Sequence, residues 1–263
     1  MTKSYNINLA YDLDIWQNLS VRTPIIVNFV TGENTHVLLT GMSGSGKSYF
    51  ELQMIAKLVK ADPDMEIYFG DYKGDDTFNF LHNCERYYFY KDTTNALNIV
   101  YGKLQKRMSG EDKTRNQITL VWDEYVANIL SLQSEDSKFA KKVMNQVSEI
   151  LLLGRSMGVR LICTCQRPDA IVFPAGSRLN YGIVIILGAP IKSTYEMLLP
   201  SSEYIAKVEN RKFIKGEGVM LLQGVEQHII KVPTVMNIDM MKALCRKGLK
   251  EGEADDRKTT DQR

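Results

Sequence analysis

An eight-residue stretch of this chain has the residue types and spacing of a phosphate-binding loop. Residues 41–48 read Gly-Met-Ser-Gly-Ser-Gly-Lys-Ser, the pattern G-x-x-x-x-G-K-S. Glycine lets consecutive backbone N–H groups turn toward an anion, and the positive end of the following helix adds to the attraction. In this pattern the lysine reaches the β- and γ-phosphates and the last hydroxyl binds Mg²⁺. The residues predicted to contact the nucleotide are Gly41, Met42, Ser43, Gly44, Ser45, Gly46, Lys47, Ser48 and Tyr49.

A second motif could hydrolyse the nucleotide that the first one binds. Residues 118–122 are apolar or β-branched, and Asp123 and Glu124 follow directly. Ligands sit beyond the carboxyl ends of strands in open α/β sheets. We therefore assign Asp123 and Ser48 to Mg²⁺ and Glu124 to polarising the attacking water, with Lys47 as a further catalytic residue. Taken alone, an apolar strand that ends in Asp-Glu more often leads into a solvated acidic turn than into a catalytic site. The upstream phosphate-binding loop reverses that preference.

Alternating apolar runs and helical patterns supply the elements that would position these residues. Strands are predicted at 35–40, 65–70, 118–122, 159–165 and 181–187, and helices at 49–60, 93–108 and 137–157. Near-continuous apolar strands separated by helices predict an α/β fold with a mostly parallel central sheet flanked by helices. Residues 218–222 and 227–231 flank a short polar turn, which predicts an antiparallel hairpin near the C-terminus.

The composition fits one large globular domain. The chain has 263 residues, 44% of them hydrophobic, and a formal net charge of +2, so nothing in the overall charge demands nucleic acid. Its four cysteines show no zinc or C-x-x-C spacing, and we expect buried free thiols. The polar N-terminus predicts no signal peptide, and no stretch is long enough to span a bilayer, so we expect a cytoplasmic chain. We divide it into an N-terminal β segment (1–34), an ATPase domain (35–245) and a charged, disordered tail (246–263).

Residues 154–168 place this nucleotide site in a narrower class. They read Gly-Arg-Ser-Met-Gly-Val-Arg-Leu-Ile-Cys-Thr-Cys-Gln-Arg-Pro, and residues 71–73 read Asp-Tyr-Lys. With the two motifs above, these strings resemble the motor domain of the FtsK/SpoIIIE translocases over residues 28–232. The resemblance implies a RecA-like P-loop ATPase that assembles as a hexameric ring. It also implies that ATP lies between subunits and that double-stranded DNA passes through the centre without sequence preference.

The resemblance also implies roles for two further residues. By position, Gln166 matches the polar residue that senses the γ-phosphate, and a carboxamide at a strand end can bond both water and phosphate. Ring ATPases commonly supply an arginine from the neighbouring subunit. We rank Arg155 first because it matches the arginine of the family string. A structural ion pair or a solvated charge is an equal alternative for each candidate; the candidates are Arg155, Arg160, Arg167 and Arg178.

Departures from the family pattern point to one of its subtypes. We expect neither the transmembrane segments nor the C-terminal winged-helix module of the division translocases. Residues 180–182, Asn-Tyr-Gly, stand where the family often has Asn-x-Pro-Thr-Arg. This version looks more like the FtsK-type proteins of conjugative and mobile elements. The predicted function is therefore a DNA translocase or pump in transfer or replication of a mobile element, working with a relaxase, a replication initiator or a membrane partner.

Other functions and the site of DNA contact stay open at this point. An FtsK-like ATPase could drive type VII protein secretion, although such domains usually occur in tandem. A non-hydrolysing nucleotide switch and a small-molecule kinase also use a P-loop, but Glu124 argues against the first and Gln166 against the second. Two basic segments, 103–115 and 193–215, could line a pore, and a solvated basic face is the favoured interpretation of each.

Overall fold

Ten strands form one sheet in the part of the chain that the structure describes. The computed structural model describes residues 5–29 and 36–252. The strands are β1 (Asn6–Asp12), β2 (Pro24–Asn28), β3 (Val37–Gly41), β4 (Glu66–Asp71), β5 (Tyr87–Phe89), β6 (Ile118–Asp123), β7 (Val159–Cys165), β8 (Ile183–Leu187), β9 (Glu217–Leu222) and β10 (Glu226–Lys231). Their order across the sheet is β2-β1-β10-β9-β8-β3-β7-β6-β4-β5.

Helices cover both faces of this sheet. They are α1 (Leu13–Leu19), α2 (Lys47–Ala61), α3 (Thr93–Met108), α4 (Tyr125–Glu135), α5 (Ser137–Leu153), α6 (Lys192–Leu198), α7 (Ser202–Ala206) and α8 (Ile238–Gly248). One apolar core lies between the sheet and the helices α2 and α8, and a second lies beneath α3, α4 and α5. Burial on both faces explains why the central strands are almost continuously apolar in sequence.

The parallel half of the sheet positions the predicted motifs. From β8 to β5 every neighbouring pair of strands is parallel, so the carboxyl ends of these six strands meet at one edge. The phosphate-binding loop follows β3, and Asp123 ends β6. The remaining pairs are antiparallel, and β9 and β10 form the predicted hairpin. The predicted α/β architecture is confirmed.

Several predicted boundaries are wrong by a few residues. Helix α2 begins at Lys47, inside the loop motif, because the first turn of the helix is part of the phosphate-binding loop. Helix α5 ends at Leu153, and a 3₁₀ turn (Gly154–Met157) follows, because the chain must reverse within a few residues to enter β7. Strand β8 begins at Ile183 rather than at residue 181.

The N-terminal segment contains more structure than the predicted strands. Strands β1 and β2 pair with each other, and β1 also pairs with β10, so the segment extends the main sheet. Helix α1 between them was not predicted. It begins where the Asp12 side chain accepts a hydrogen bond of 2.8 Å from Ile15 N, which satisfies a free donor of the first turn. Residues 1–4 and 30–35 lie outside the described residues.

The predicted tail starts too early. Helix α8 runs through Arg246, and Leu249 is fully buried. Arg246 Nε lies 3.2 Å from a carboxylate oxygen of Glu251, and Gly252 N donates to Asn83 O at 3.1 Å. The packed chain therefore continues at least to Gly252, because a helix with one strongly apolar face was missed in the sequence. The rest of the predicted tail, residues 253–263, lies outside the described residues.

Candidate nucleotide-binding and hydrolysis site

The loop after β3 has the backbone shape that anion binding requires. Gly46 has φ of +99° and forms the N-cap of α2 without any side-chain cap. A residue with a β-carbon is strained in this left-handed region. The first N–H groups of α2 thus have no side chain bonded to them, and they form the positive end of a helix dipole. This geometry supports the prediction that residues 41–48 bind phosphate.

Lys47 lies across its own loop. Its side chain is buried, with 8% of the residue exposed. Lys47 Nζ donates to Gly41 O at 2.6 Å and to Met42 O at 3.4 Å. These two carbonyl oxygens hold the ammonium group at the mouth of the loop, where phosphate oxygens of a nucleotide could replace them as acceptors.

Strands β6 and β7 together organise the two acidic residues. Thr164 Oγ1 donates to Asp123 Oδ1 at 2.6 Å, and Glu124 N donates to Thr164 Oγ1 at 3.2 Å. One buried hydroxyl on β7 therefore orients both residues of the acidic pair. Thr164 was not predicted as a site residue; its signal was its place two residues before Gln166 on a strand, where side chains share a face.

Gln166 and Glu124 contact each other directly. Gln166 Nε2 donates to Glu124 Oε1 at 3.0 Å. Gln166 O in turn accepts a hydrogen bond of 3.1 Å from Thr40 Oγ1, which precedes the loop. The structure thus brings the carboxyl ends of β3, β7 and β6 together around Glu124, which is buried with 5% exposure.

The backbone of Glu124 is unusual. Its φ is 52° and its ψ is 43°, so a non-glycine residue occupies the left-handed region at the N-cap of α4. Such conformations cost energy and persist where the surroundings impose them, which is common at functional sites. Here the contacts with Thr164 and Gln166 impose it, and they aim the carboxylate along the edge of the sheet toward the loop.

The oxygen donors at this edge fit a magnesium ion bound together with a nucleotide. Burial, followed by the nearby carboxylates of Glu124 and Asp71, raises the pKa of Asp123 to about 7, while Thr164 and Lys47 act in the opposite direction. An excess of buried negative charge of this kind is relieved by a cation. Among the described residues no cluster of three His, Cys, Asp or Glu side chains could hold a metal alone. Mg²⁺ typically takes one or two carboxylates, waters and substrate phosphates, which matches this donor set.

A cleft of about 190 Å³ lies between the loop and the acidic pair. We call it the P-loop cleft. Four of its lining residues were not assigned to the site from the sequence: Lys73, Asp75, Thr77 and Lys215. Tyr49 also lines it, but its hydroxyl accepts a hydrogen bond of 2.8 Å from Val235 N. The segment before β9 closes one side, because Gly216 N donates to Ser45 O at 2.9 Å.

Arg155 does not approach this cleft. It lies in the 3₁₀ turn before β7, at the edge of the sheet opposite the phosphate-binding loop. There it lines a separate cavity of about 520 Å³ together with Arg178. Arg160 is fully buried, and its guanidinium donates to Phe29 O at 2.6 Å. Arg160 therefore has a structural role and is not available as the arginine supplied to a neighbouring subunit.

Ion pairs occupy much of the two basic segments. Arg107 is buried and contacts Asp112, with Nε 3.1 Å from Oδ2. Arg211 makes a bidentate contact with Asp14 at 2.6 and 2.9 Å. The charges of Arg107 and Arg211 are therefore paired within the chain. Four exposed cations of the segments pair with no carboxylate among the described residues; these are Lys113, Arg115, Lys212 and Lys215.

Glu51 is a buried acid that sequence reasoning did not single out. It lies one turn after Lys47 on α2, it is 0% exposed, and neither carboxylate oxygen has a hydrogen-bond partner among the described residues. Burial, with Asp123 and Asp71 adding to it, raises the pKa of Glu51 well above its ordinary value of 4.5. A carboxyl group in such surroundings is held neutral because an ionised one would lack solvation.

We expect Glu51→Gln to remove a pH dependence from the stability of the nucleotide-free protein. The folded state binds the proton of Glu51 more tightly than the unfolded state, so wild-type stability falls as pH rises above 4.5. Between pH 4.5 and the raised pKa of Glu51, the free energy of unfolding falls by about 1.4 kcal/mol per pH unit for one proton. Urea unfolding, measured from acidic to mildly alkaline pH, should show the free energy of unfolding of Glu51→Gln rising relative to that of wild type as pH rises. The exposed Glu203→Gln is the control, and equal slopes for wild type and Glu51→Gln would contradict the expectation.

Comparison with known sequences supports the resemblance predicted from the motifs. No protein-family model matches the chain. The FtsK domain-containing protein YdcQ of Bacillus subtilis (strain 168) is 26% identical over 192 residues, which are 66% of this chain and 39% of YdcQ. The chain therefore spans about two fifths of the length of this curated relative.

Solved structures with a similar fold include a secretion ATPase and a conjugation coupling protein with a bound nucleotide analogue. The cytoplasmic domain of the type VII secretion ATPase EccC from Thermomonospora curvata has a TM-score of 0.67 and 16% identity, covering 94% of this chain and 31% of EccC. The pCW3 conjugation coupling protein TcpA, solved with ATPγS, has a TM-score of 0.64 and 21% identity, covering 80% of this chain and 62% of TcpA.

The chain shares its α/β fold with EccC and TcpA, and its phosphate-binding loop leads directly into α2 as a P-loop does. The resemblance to the FtsK type is confirmed, since the curated relative YdcQ is an FtsK domain-containing protein and the structures similar to this chain include EccC and TcpA. Within the described residues, no helix is long and apolar enough to cross a membrane.

Proposed function

We propose that this chain hydrolyses ATP to move double-stranded DNA during transfer or replication of a mobile element. The observation that carries the hydrolysis is the 3.0 Å hydrogen bond between Gln166 and Glu124 beside the phosphate-binding loop. It joins a group suited to sensing a phosphate to a carboxylate suited to polarising water. Similarity to YdcQ and to the conjugation coupling protein TcpA supports DNA as the substrate.

Residues of the loop, together with Asp123, Glu124 and Gln166, have distinct parts in the proposed reaction. Backbone N–H groups of the loop bind the phosphates, and Lys47 exchanges its carbonyl partners for phosphate oxygens. Ser48 and Asp123 would hold Mg²⁺, which when bound neutralises charge on the phosphates. Glu124 accepts a hydrogen bond from Gln166 at Oε1, and its other oxygen can accept the proton of the attacking water. Gln166 would sense the γ-phosphate and transmit its presence to Glu124 through their hydrogen bond.

A ring of subunits would complete this site. Arg155 lies at the opposite edge of the sheet from the P-loop cleft, so it cannot serve its own subunit. Head-to-tail packing of identical subunits into a closed ring would bring that edge against the cleft of a neighbour. Arg155 would then neutralise transition-state charge in trans, and a hexamer is the ring that we propose.

DNA would contact exposed cations in the centre of such a ring. Lys113, Arg115 and Lys212 are the candidates among the described residues, because Lys215 lines the P-loop cleft and Arg107 and Arg211 are paired within the chain. Contacts to phosphates carry no sequence information and weaken with salt. A relaxase, a replication initiator or a membrane protein would supply the connection to transfer or replication.

Protein secretion is the second candidate. The fold is also shared with the type VII secretion ATPase EccC over 94% of this chain. The ATP site would be unchanged under this alternative, but the substrate would be a polypeptide. The two functions therefore differ in whether DNA stimulates the hydrolysis of ATP.

Lys47→Ala is expected to reduce ATP hydrolysis by at least about a hundredfold, because it removes a buried positive charge that stabilises the transferred phosphate. The measurement is phosphate release with and without double-stranded DNA. Wild type should be stimulated by DNA, and Lys60→Ala, an exposed lysine at the other end of α2, is the control. Hydrolysis indifferent to DNA would favour secretion, whereas phosphate transfer to a small acceptor, or wild-type activity in Lys47→Ala, would overturn the proposed mechanism.

A further inference from the structure

The hydroxyl of Ser48 has a partner outside both sequence motifs. Ser48 Oγ donates to Asp75 Oδ2 at 3.2 Å. The other oxygen of Asp75 accepts a hydrogen bond of 2.9 Å from Thr77 N, so Asp75 caps the 3₁₀ turn that follows it. Asp123 takes its hydrogen bond from Thr164 instead. The proton of the Ser48 hydroxyl is therefore directed toward the segment after β4.

The segment after β4 is built to present Asp75 at this position. Asp71 Oδ1 accepts a hydrogen bond of 2.7 Å from Gly74 N, and Asp71 Oδ2 accepts one of 2.6 Å from Tyr87 OH. Gly74 has φ of +72°, and a β-carbon there would lie 2.8 Å from the ring of Phe89. These constraints turn the chain back toward α2 immediately before Asp75.

A serine hydroxyl has one proton and two acceptor lone pairs. It can bind a cation only when its proton points away from the cation. A carboxylate that accepts this proton fixes the hydroxyl in the required orientation, as residues behind metal ligands commonly do. In this structure that acceptor is Asp75, whose two carboxylate oxygens accept hydrogen bonds from Ser48 Oγ and from Thr77 N.

We propose that Asp75 is a positioning residue for the complex of nucleotide and Mg²⁺, acting by holding the Ser48 hydroxyl with its lone pairs toward the ion. This inference rests on the proposed nucleotide site, and it adds to that site a residue from the segment after β4. It gives the turn from Asp71 to Asp75 a defined part in metal binding. Asp75 itself need not touch the ion.

The variant Asp75→Ser tests this assignment. A serine keeps an N-cap oxygen for Thr77 N, but it is too short to reach Ser48 at the same time. The measurement is the affinity for fluorescently labelled ATP, with Mg²⁺ and with EDTA. We expect the affinity in Mg²⁺ to fall about tenfold, as for residues that orient metal ligands, and the affinity in EDTA to stay unchanged. Asp76→Ser, at the neighbouring exposed position, is the matched control.

A double-mutant cycle separates positioning from a general loss of structure. If Asp75 acts through Ser48, Asp75→Ser should weaken Mg²⁺-dependent binding no further in a Ser48→Ala background. Equal losses in Mg²⁺ and in EDTA, additive losses in the cycle, or no loss at all would overturn the proposal. A wild type that binds ATP and Mg²⁺ without hydrolysing it would refute the proposed function and leave this inference standing, because the measurement is binding.

Discussion

Glu124→Gln should bind ATP as tightly as wild type and hydrolyse it at least about a hundredfold more slowly, because a general base typically contributes that factor or more. Glutamine has nearly the same shape, and its amide can still contact Gln166. It cannot accept a proton from water. Glutamine can adopt the left-handed backbone conformation of Glu124 as readily as glutamate can, so the fold and the nucleotide affinity should persist.

Single-turnover hydrolysis and nucleotide binding, measured on the same preparation, test this expectation. The control is Glu135→Gln, at the exposed other end of α4, where the glutamate pairs with Lys91 at 3.1 Å. ATP should remain bound and intact in Glu124→Gln. Hydrolysis at the wild-type rate would show that another group activates the water. A loss of ATP binding would instead place Glu124 among the residues that hold the nucleotide.

Arg155→Ala should lower hydrolysis by about a thousandfold or more, the range reported for arginines supplied to a neighbouring site. ATP binding should change little, because Arg155 lies at the opposite edge of the sheet from its own P-loop cleft. Mixing two inactive variants tests the contribution in trans. In an equal mixture of Arg155→Ala and Lys47→Ala, roughly a quarter of the interfaces of a head-to-tail ring combine an intact loop with an intact arginine.

Recovered activity in this mixture would support a site shared between subunits. Arg178→Ala is the comparison, because Arg178 lines the same cavity while its guanidinium donates to Pro168 O at 3.4 Å. Loss of hydrolysis in Arg178→Ala but not in Arg155→Ala would transfer the role to Arg178. Two variants that stay inactive when mixed, although ring assembly is intact, would contradict a contribution of Arg155 in trans.

Some features of the fold and the site follow from short stretches of sequence. The glycine spacing around Lys47 encodes the loop, because the backbone conformation at Gly46 depends on the residue itself. Helix α3 and strand β7 have the predicted boundaries, since each has a strong local apolar pattern and nearby stop signals. Asp123 ends a strand as predicted, because the five residues before it are apolar or β-branched.

Other features depend on contacts between residues that are far apart in sequence. Thr164 is 41 residues from Asp123, and Asp75 is 27 residues from Ser48. Helix α1 was missed because it is short and its apolar residues pack mainly through Leu13. The burial of Arg107 and Arg160 could not be read from charge patterns, because a basic residue is interpreted as solvated until its partners are known.

The amino-acid sequence by itself determined which residues carry the proposed chemistry: a loop for phosphate, a hydroxyl and a carboxylate for Mg²⁺, and a glutamate for water. Local backbone preference and hydrophobic burial are enough to encode these motifs. Only the tertiary structure decided how they are combined. Side-by-side parallel strands bring Glu124 to Gln166 and place Arg155 at the opposite edge, because strand order depends on packing of the whole sheet rather than on any single segment.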